Sequence, residues 1–274
     1  MGDSTPLADG VIATAVRALG LALPGPVGLA AGFDRTGHSL GAARQWGFGF
    51  VELGTATLAS PAGETAAALA NTIDLHRRRT GDGNGPIIGV NVGIGPGRAA
   101  RLAWRDYAAA VASLGRCADY VVLNLTSDAA ARLRSAAARP HLQAVLEAAA
   151  SARCDARVPA TVRRPSLLVK WPMETSATET ARLLDLLVRL HFDGVIAAGH
   201  RPMDAPTWAA TVPRTCRTWQ EAAPSLDVIA VGGVDSADRA RRLKAAGIRL
   251  VQMHRGFTAG GPRTVRDVAL ALVA

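Results

Sequence analysis

Ser166-Leu167-Leu168-Val169-Lys170-Trp171 is a nearly continuous apolar run that carries a lysine close to its carboxyl end. A run of this kind, without polar alternation, suits a parallel strand covered on both faces. Seven further runs have the same character: Pro26–Ala31, Gly49–Gly54, Pro86–Val92, Asp119–Leu125, Asp193–Ala198, Leu226–Val231 and Arg249–Met253. The segments between them, such as Thr178–Leu190 and Ser236–Ala246, place Leu, Val and Ala at helical spacing. Ser176 and the Asp235-Ser236 pair are candidate N-caps, and Gly247 is placed to close its helix. Eight alternating strand–helix units in about 250 residues predict an α/β fold, a single (β/α)8 TIM barrel. A doubly wound open sheet is the runner-up, disfavoured by the even spacing of eight units. The expected division is an N-terminal helical segment over residues 1–24, from the apolar stretch Gly10–Leu23 read as a short amphipathic helix, and a barrel over residues 25–274.

With 49% of its residues hydrophobic the chain can bury a sizeable core, and with only 4% aromatic it must fill that core mostly with Ala, Val and Leu. The net charge of +9 raises the question of nucleic acid. The arginines are scattered, however, and the one tight run is Arg77–Arg79, with no helix-turn-helix, zinc-finger or aromatic ladder beside it. A solvated basic surface without a nucleic-acid partner is expected. Cys117, Cys154 and Cys216 are odd in number and widely spaced. They form neither a disulfide framework nor a metal-ligand set, which fits a reducing cytoplasm. Acidic Asp3 and the lack of a basic n-region argue against a signal peptide. Gly10–Leu23 carries Arg17 and falls short of the roughly 20 residues a span needs, so no stable membrane association is expected.

In such a barrel chemistry sits where strands end and loops begin. The strand ends here are polar: Asp34 and Arg35, Thr55, Asn91, Asn124 with Thr126 and Ser127, Lys170, His200, Gly232-Gly233 and His254-Arg255. Lys170 stands out because the chain has 31 Lys plus Arg and only one other lysine, Lys244, among arginines on a solvent-facing helix. An ammonium closing an apolar run is costly unless an anion meets it. Lys170 is therefore expected in a catalytic or cofactor site rather than in a structural ion pair. Val231-Gly232-Gly233 leaves backbone amides accessible, and the loops after the seventh and eighth strands of these barrels commonly hold phosphate. Glu52, inside the second strand, is expected to pair with a neighbouring cation.

Several ordered motifs resemble class 2 dihydroorotate dehydrogenases. These are Gly25-Pro26-Val27-Gly28-Leu29-Ala30-Ala31-Gly32-Phe33-Asp34, Gly47-Phe48-Gly49-Phe50-Val51-Glu52-Leu53-Gly54-Thr55 and Gly89-Val90-Asn91-Val92-Gly93. Ala118-Asp119-Tyr120 through Asn124, Leu168-Val169-Lys170, Asp193-Gly194-Val195-Ile196-Ala197, Val231-Gly232-Gly233-Val234 and Leu250-Val251-Gln252 through Gly261-Pro262 follow in family order. The resemblance implies an FMN-dependent oxidoreductase acting on CH–CH groups. It places Thr55, Asn91, Asn124 and Lys170 along the isoalloxazine ring, with Lys170 at its electron-rich edge and Ala31 as a further cofactor contact. Gly232 and Gly233 match the phosphate loop, and His254 and Arg255 replace the family's Tyr-Thr/Ser pair. Ala198 replaces a threonine that touches the flavin. Ser127 matches the catalytic base.

The substrate side departs from the family pattern. The asparagine and threonine that follow the base are here Ala129 and Ala130, the orotate-holding lysine corresponds to Arg35, and the asparagine after strand six becomes Gly199 beside His200. Arg201–Trp208 stands in place of the Leu-Ser-Gly loop, and Leu69–Gly85 holds no Asn-Arg-Met-Gly-Phe-Asn segment. The expected substrate is a small molecule other than dihydroorotate, anionic or amide-containing, held by Arg35, Asn124, Ser127 and His200. The expected catalytic set is Ser127, Lys170 and His200, with His254 as an alternative acid/base. Relatives in this family often pair, so a homodimer is an expected state. Two other readings stay open: a flavin-free phosphate-binding barrel using Lys170 as a Schiff-base lysine, and a catalytically degenerate binding paralogue.

Overall fold

Leu19 and Gly20 adopt positive φ, 55° and 62°, and turn the chain between two short antiparallel strands, β1 (Val16–Ala18) and β2 (Leu21–Leu23). The structure, a computed structural model, describes residues 15–58, 65–81, 85–95, 97–155, 164–199 and 203–274. Within the expected Gly10–Leu23 helix, the described part is therefore a hairpin, and residues 1–14 lie outside the described residues. The reason is local: Leu19-Gly20 supplies the two left-handed residues of a two-residue turn matched to strand twist. The apolar residues of the hairpin are buried against the barrel end rather than along a helix face. Leu19 and Leu23 are fully buried with Phe50, Tyr120, Leu168, Ile196, Ile229 and Leu250. Ser166 Oγ donates to Leu19 O at 2.7 Å, and Leu19 N donates to the Asp227 carboxylate.

The eight apolar runs form eight parallel strands. They are β3 (Val27–Leu29), β4 (Phe50–Ala56), β5 (Ile87–Val92), β6 (Tyr120–Asn124), β7 (Ser166–Pro172), β8 (Gly194–Ala198), β9 (Asp227–Val231) and β10 (Leu250–Met253). Strand β10 pairs in parallel with both β9 and β3, so the sheet closes into a barrel and the open-sheet alternative is excluded. Around it lie α1 (Ala66–Thr80), α2 (Ala103–Leu114), α3 (Arg139–Asp155), α4 (Ala177–Arg189), α5 (Ala205–Ala222), α6 (Ala237–Ala245) and α7 (Arg255–Val273), the last broken at Gly261. The capping logic holds: Ser176 Oγ accepts from Glu179 N, Ser236 Oγ accepts from Arg239 N, and Gly247 closes α6 with φ 84°. Among the described residues no helix is long and apolar enough to cross a membrane.

The first connection departs from strict strand–helix alternation. Between β3 and β4 the chain makes turns rather than a helix, as the glycines at 32, 37, 41 and 47 disfavour helix. Asp34 organises these turns. Its carboxylate accepts from the backbone N–H of Thr36 (2.9 Å), Gly37 (2.8 Å) and Ser39 (2.7 Å) and from the Ser39 hydroxyl. Burial pushes this carboxyl up, but the hydrogen bonds from Ser39, Thr36 and Gly37 together outweigh it and hold Asp34 below its ordinary value. A depressed carboxylate contributes stability that is fully present above its unfolded pKa and is lost as pH falls through the folded value. Asp34→Asn is therefore expected to cost about 2 kcal/mol at pH 7. In urea unfolding the gap from the wild type should narrow steadily below about pH 4; a gap that stayed constant with pH would show that the ionised form carries no advantage.

Candidate active site

The carboxyl ends of the strands converge on one cavity of about 900 Å³. Its floor is a buried polar chain. Glu52, on β4 and fully buried, accepts from Asn91 Nδ2 (2.8 Å) and Gln252 Nε2 (2.5 Å), and Lys170 Nζ lies 3.7 Å from its Oε1. Asn91 Oδ1 accepts from Thr55 Oγ1 at 2.9 Å, and Thr55 Oγ1 accepts from Asn124 Nδ2 at 3.1 Å. Thr126 closes the chain, donating to Asn124 Oδ1 from both its amide (3.0 Å) and its hydroxyl (2.6 Å). Apart from Glu52, inside β4, these side chains sit at or near a strand end, so barrel register brings β4, β5, β6, β7 and β10 to one point. The expected cation for Glu52 is thus Lys170. At 3.7 Å the pair is ionic rather than a formed hydrogen bond, which leaves the Lys170 donors for something else.

The cavity unites most of the residues expected at the site. Ala31, Arg35, Thr55, Asn91, Asn124 and Lys170 line one part, and Gly232, Gly233, His254 and Arg255 line another. Ala198 and Gly199 also face it, at the end of β8. His200, the remaining expected substrate and catalytic residue, lies outside the described residues. Ser127 is placed differently: it is not among the lining residues, its Oγ accepts from Ala130 N at 3.3 Å, and Thr126 lines the wall instead. Ser127 thus heads the turn that leads into the short helical segment at Ala131–Arg134, and among the described residues its hydroxyl donates to no partner.

The two basic replacements at the end of β10 behave differently. His254 lies edge-on to Phe33, with ring centroids 5.7 Å apart. Partial burial first, and then the charges of Arg255 and Lys170, push its imidazole below the ordinary value and favour the neutral form, although the residue keeps an exposed face at the cavity mouth. Arg255 is exposed at the start of α7 and lines the cavity.

Three contributors were missed in the sequence. Gln252 holds Glu52 from β10, one strand beyond β3, while Trp208 and Arg239 stand against the glycine pair after β9. Gln252 was legible only as part of a motif. Trp208 and Arg239 carried no signal, because their contact joins α5 and α6 across the loop that follows β9.

The chain is 30% identical over 293 residues to the dihydroorotate dehydrogenase (quinone) of Rhodococcus erythropolis, covering 92% of this chain and 78% of that protein. The chain belongs to the dihydroorotate dehydrogenase family. It is also 28% identical over 288 residues to the dihydroorotate dehydrogenase (quinone) of Pectobacterium carotovorum, with 92% and 85% covered. Among solved structures, a dihydroorotate dehydrogenase from Eimeria tenella in complex with ferulenol superposes with a TM-score of 0.81 at 25% identity, covering 94% of this chain and 83% of that one. No family model matches the chain. The resemblance, the closed barrel and the expectation of a dihydroorotate dehydrogenase-like oxidoreductase are borne out together. Beside the polar floor the cavity wall includes Thr126, Ala198 and Gly199, whereas Ala129 and Ala130 are not among the lining residues.

Proposed function

We propose that the chain binds FMN and moves a hydride between the flavin and a carbon adjacent to a carbonyl or amide, on a small anionic or amide-containing substrate other than dihydroorotate. The observation that carries this reading is the pairing, in one cavity, of a buried Lys170 at the floor with two adjacent open-amide glycines at the other end. The residues present suit FMN. Among the described residues the amides of Gly232 and Gly233 donate to no carbonyl, as a phosphate cradle requires. A methyl on Gly232 would strike Gly199 O at 2.4 Å, so only glycine fits there. Thr55, Asn91 and Asn124 offer an amide-and-hydroxyl surface of the kind that matches a ring bearing both donors and acceptors.

Bound FMN supplies the hydride acceptor or donor. Lys170 then fixes positive charge where the ring becomes electron-rich, a preorganised electrostatic role. An ammonium held by Glu52 suits that role better than it suits a free amine nucleophile. Arg35, exposed at the cavity wall, holds an anionic or amide oxygen of the substrate. Ser127 Oγ, one residue beyond the wall-lining Thr126, is the proposed site of proton transfer, with His200 and His254 as alternatives. In this reading the substrate is a cytoplasmic metabolite. Dihydroorotate is disfavoured in this reading because Ala129, Ala130 and Gly199 stand where the resemblance places polar substrate-holding residues, and losing a set of directed hydrogen bonds costs several kcal/mol.

The purified protein is expected to show an oxidised-flavin spectrum and to release about one FMN per chain, the stoichiometry of a single phosphate cradle. Under anaerobic conditions dihydroorotate is expected to leave the flavin oxidised, and a carboxylate or amide substrate of different shape to bleach it. Rapid bleaching by dihydroorotate would overturn the substrate assignment alone. A colourless protein that FMN cannot reconstitute would overturn the whole reading.

A further inference from the structure

Gly232 and Gly233 leave β9 with φ of 111° and 72°, a left-handed pair that glycine adopts without strain. Successive peptide units in such a pair expose amides to an anion when their carbonyls are engaged elsewhere. Both carbonyls here are engaged. Trp208, on α5, donates its indole Nε1 to Gly232 O at 2.9 Å, and Arg239, on α6, donates Nη1 to Gly233 O. The two donors also hold each other. The guanidinium carbon of Arg239 lies 4.9 Å from the Trp208 ring centroid, and Arg239 Nη1 bonds Asp235 Oδ2 at 2.9 Å. A methyl on Gly233 would meet Trp208 Nε1 at 2.7 Å and Arg239 Nη1 at 3.2 Å, so the pair lies directly against the loop. The Gly232 and Gly233 amides, by contrast, donate to no carbonyl among the described residues, and both glycines line the cavity.

We infer that the stacked Trp208–Arg239 pair is a positioning device for the anion-binding loop, and that it makes the site selective for a phosphate monoester, so that FMN is bound in strong preference to riboflavin. This rests on the flavin reading above. With each carbonyl tied to a side-chain donor, the loop cannot rotate its peptide units to present oxygen to the cavity. The amides therefore meet a phosphate without reorganisation, where preorganised donors are most effective. Arg239 commits Nη1 to Gly233 and Asp235, so through that nitrogen it acts on the loop, while the residue also lines the cavity. The stacking on Trp208 keeps the guanidinium in place.

The test separates loop positioning from charge. Trp208→Phe keeps an aromatic ring and the net charge but removes the indole donor. Apoprotein is titrated with FMN and with riboflavin, and binding is followed by quenching of flavin fluorescence. FMN affinity is expected to fall about tenfold in Trp208→Phe, as for one lost hydrogen bond, while riboflavin affinity stays within about twofold. Arg239→Met should weaken FMN by more than about tenfold, and Arg239→Lys should restore only part, since the planar guanidinium that stacks on Trp208 is gone. If Trp208→Phe does not fold, Asp235→Asn, on a half-exposed side chain, loosens the same guanidinium and is expected to weaken FMN alone. Equal losses for both flavins, or no loss for FMN, would overturn the inference. A wild-type protein that binds both flavins with equal affinity leaves the flavin reading standing and removes this one, whereas a wild-type protein that binds neither removes both.

Discussion

Lys170→Met is expected to destabilise the protein by about 3 kcal/mol, the low end of what removing one partner of a buried ion pair costs. The reason is Glu52, which has no exposure to solvent and has Lys170 as its cationic neighbour at 3.7 Å. Two hydrogen bonds, from Asn91 and Gln252, remain to the carboxylate and keep the cost from rising further. The double variant Lys170→Met/Glu52→Gln should recover most of the loss, because a neutral amide of the same shape can keep one or both of those contacts. Urea unfolding of the single and double variants gives the coupling directly. The folded double variant then isolates chemistry from stability. It should still take up FMN through the glycine loop, yet reduce it about 10²–10³-fold more slowly, as when one preorganised charge is removed from a reacting centre. A Lys170→Met protein as stable as the wild type would mean that Glu52 carries no buried charge. A double variant with an unchanged rate of flavin reduction would mean that Lys170 serves the fold alone.

The difference between these outcomes bears on how much of the site was legible in the sequence. Lys170 stood out because it is one of two lysines and closes an apolar run, a conflict between charge and burial that a linear reading can detect. The strands were legible for a similar reason: β5, β6 and β8 are continuous in hydrophobicity and buried throughout or nearly so, which leaves no helical alternative at that length. Helices α4 and α6 were legible from Ser176 and Ser236, whose capping is local. Reading failed where the deciding contact joined distant elements. The Leu19 plug depends on Ser166 and Asp227 at the far side of the barrel end, and an apolar stretch by itself does not distinguish a short hairpin from a short helix. The placing of Ser127 depends on which of two neighbouring hydroxyls reaches Asn124; Thr126 does, and Ser127 caps the turn instead. Asp34 looked like a polar strand end facing the cavity, but the N–H groups of Thr36, Gly37 and Ser39 hold it in the loop beneath. Family motifs locate a residue on its loop, whereas the hydrogen bonds of that loop decide which way it faces.

The barrel interior offers the largest expected effect on folding, and it too follows from paired positions. Gly28 on β3 is in register with Phe50 on β4, and Gly89 on β5 with Tyr120 on β6. In both pairs the aromatic ring lies across the glycine. An added methyl would fall 2.1 Å from Phe50 Cε2 at Gly28 and 2.0 Å from Tyr120 Cζ at Gly89. The two rings also meet edge to face, with centroids 6.3 Å apart, and both are fully buried. Tyr120 therefore has nowhere to retreat without displacing Phe50, and Phe50 in turn lies over Gly28. Gly89→Ala is expected to cost at least about 3 kcal/mol, the upper end for overpacking a rigid core. Gly41→Ala, where an added methyl meets nothing within 4 Å, should stay within about 0.5 kcal/mol of the wild type. The cause is checked by removing the ring: Tyr120→Leu alone costs stability through lost packing, but Gly89→Ala/Tyr120→Leu should be markedly less destabilised than the sum of the two single variants. Additivity, or a Gly89→Ala protein within about 1 kcal/mol of the wild type in urea, would show that the rings have room to move. If the coupling appears, the glycines of β3 and β5 are fixed by steric packing. They then serve the packing of two large rings that fill the barrel below the polar floor, independently of the substrate bound above it.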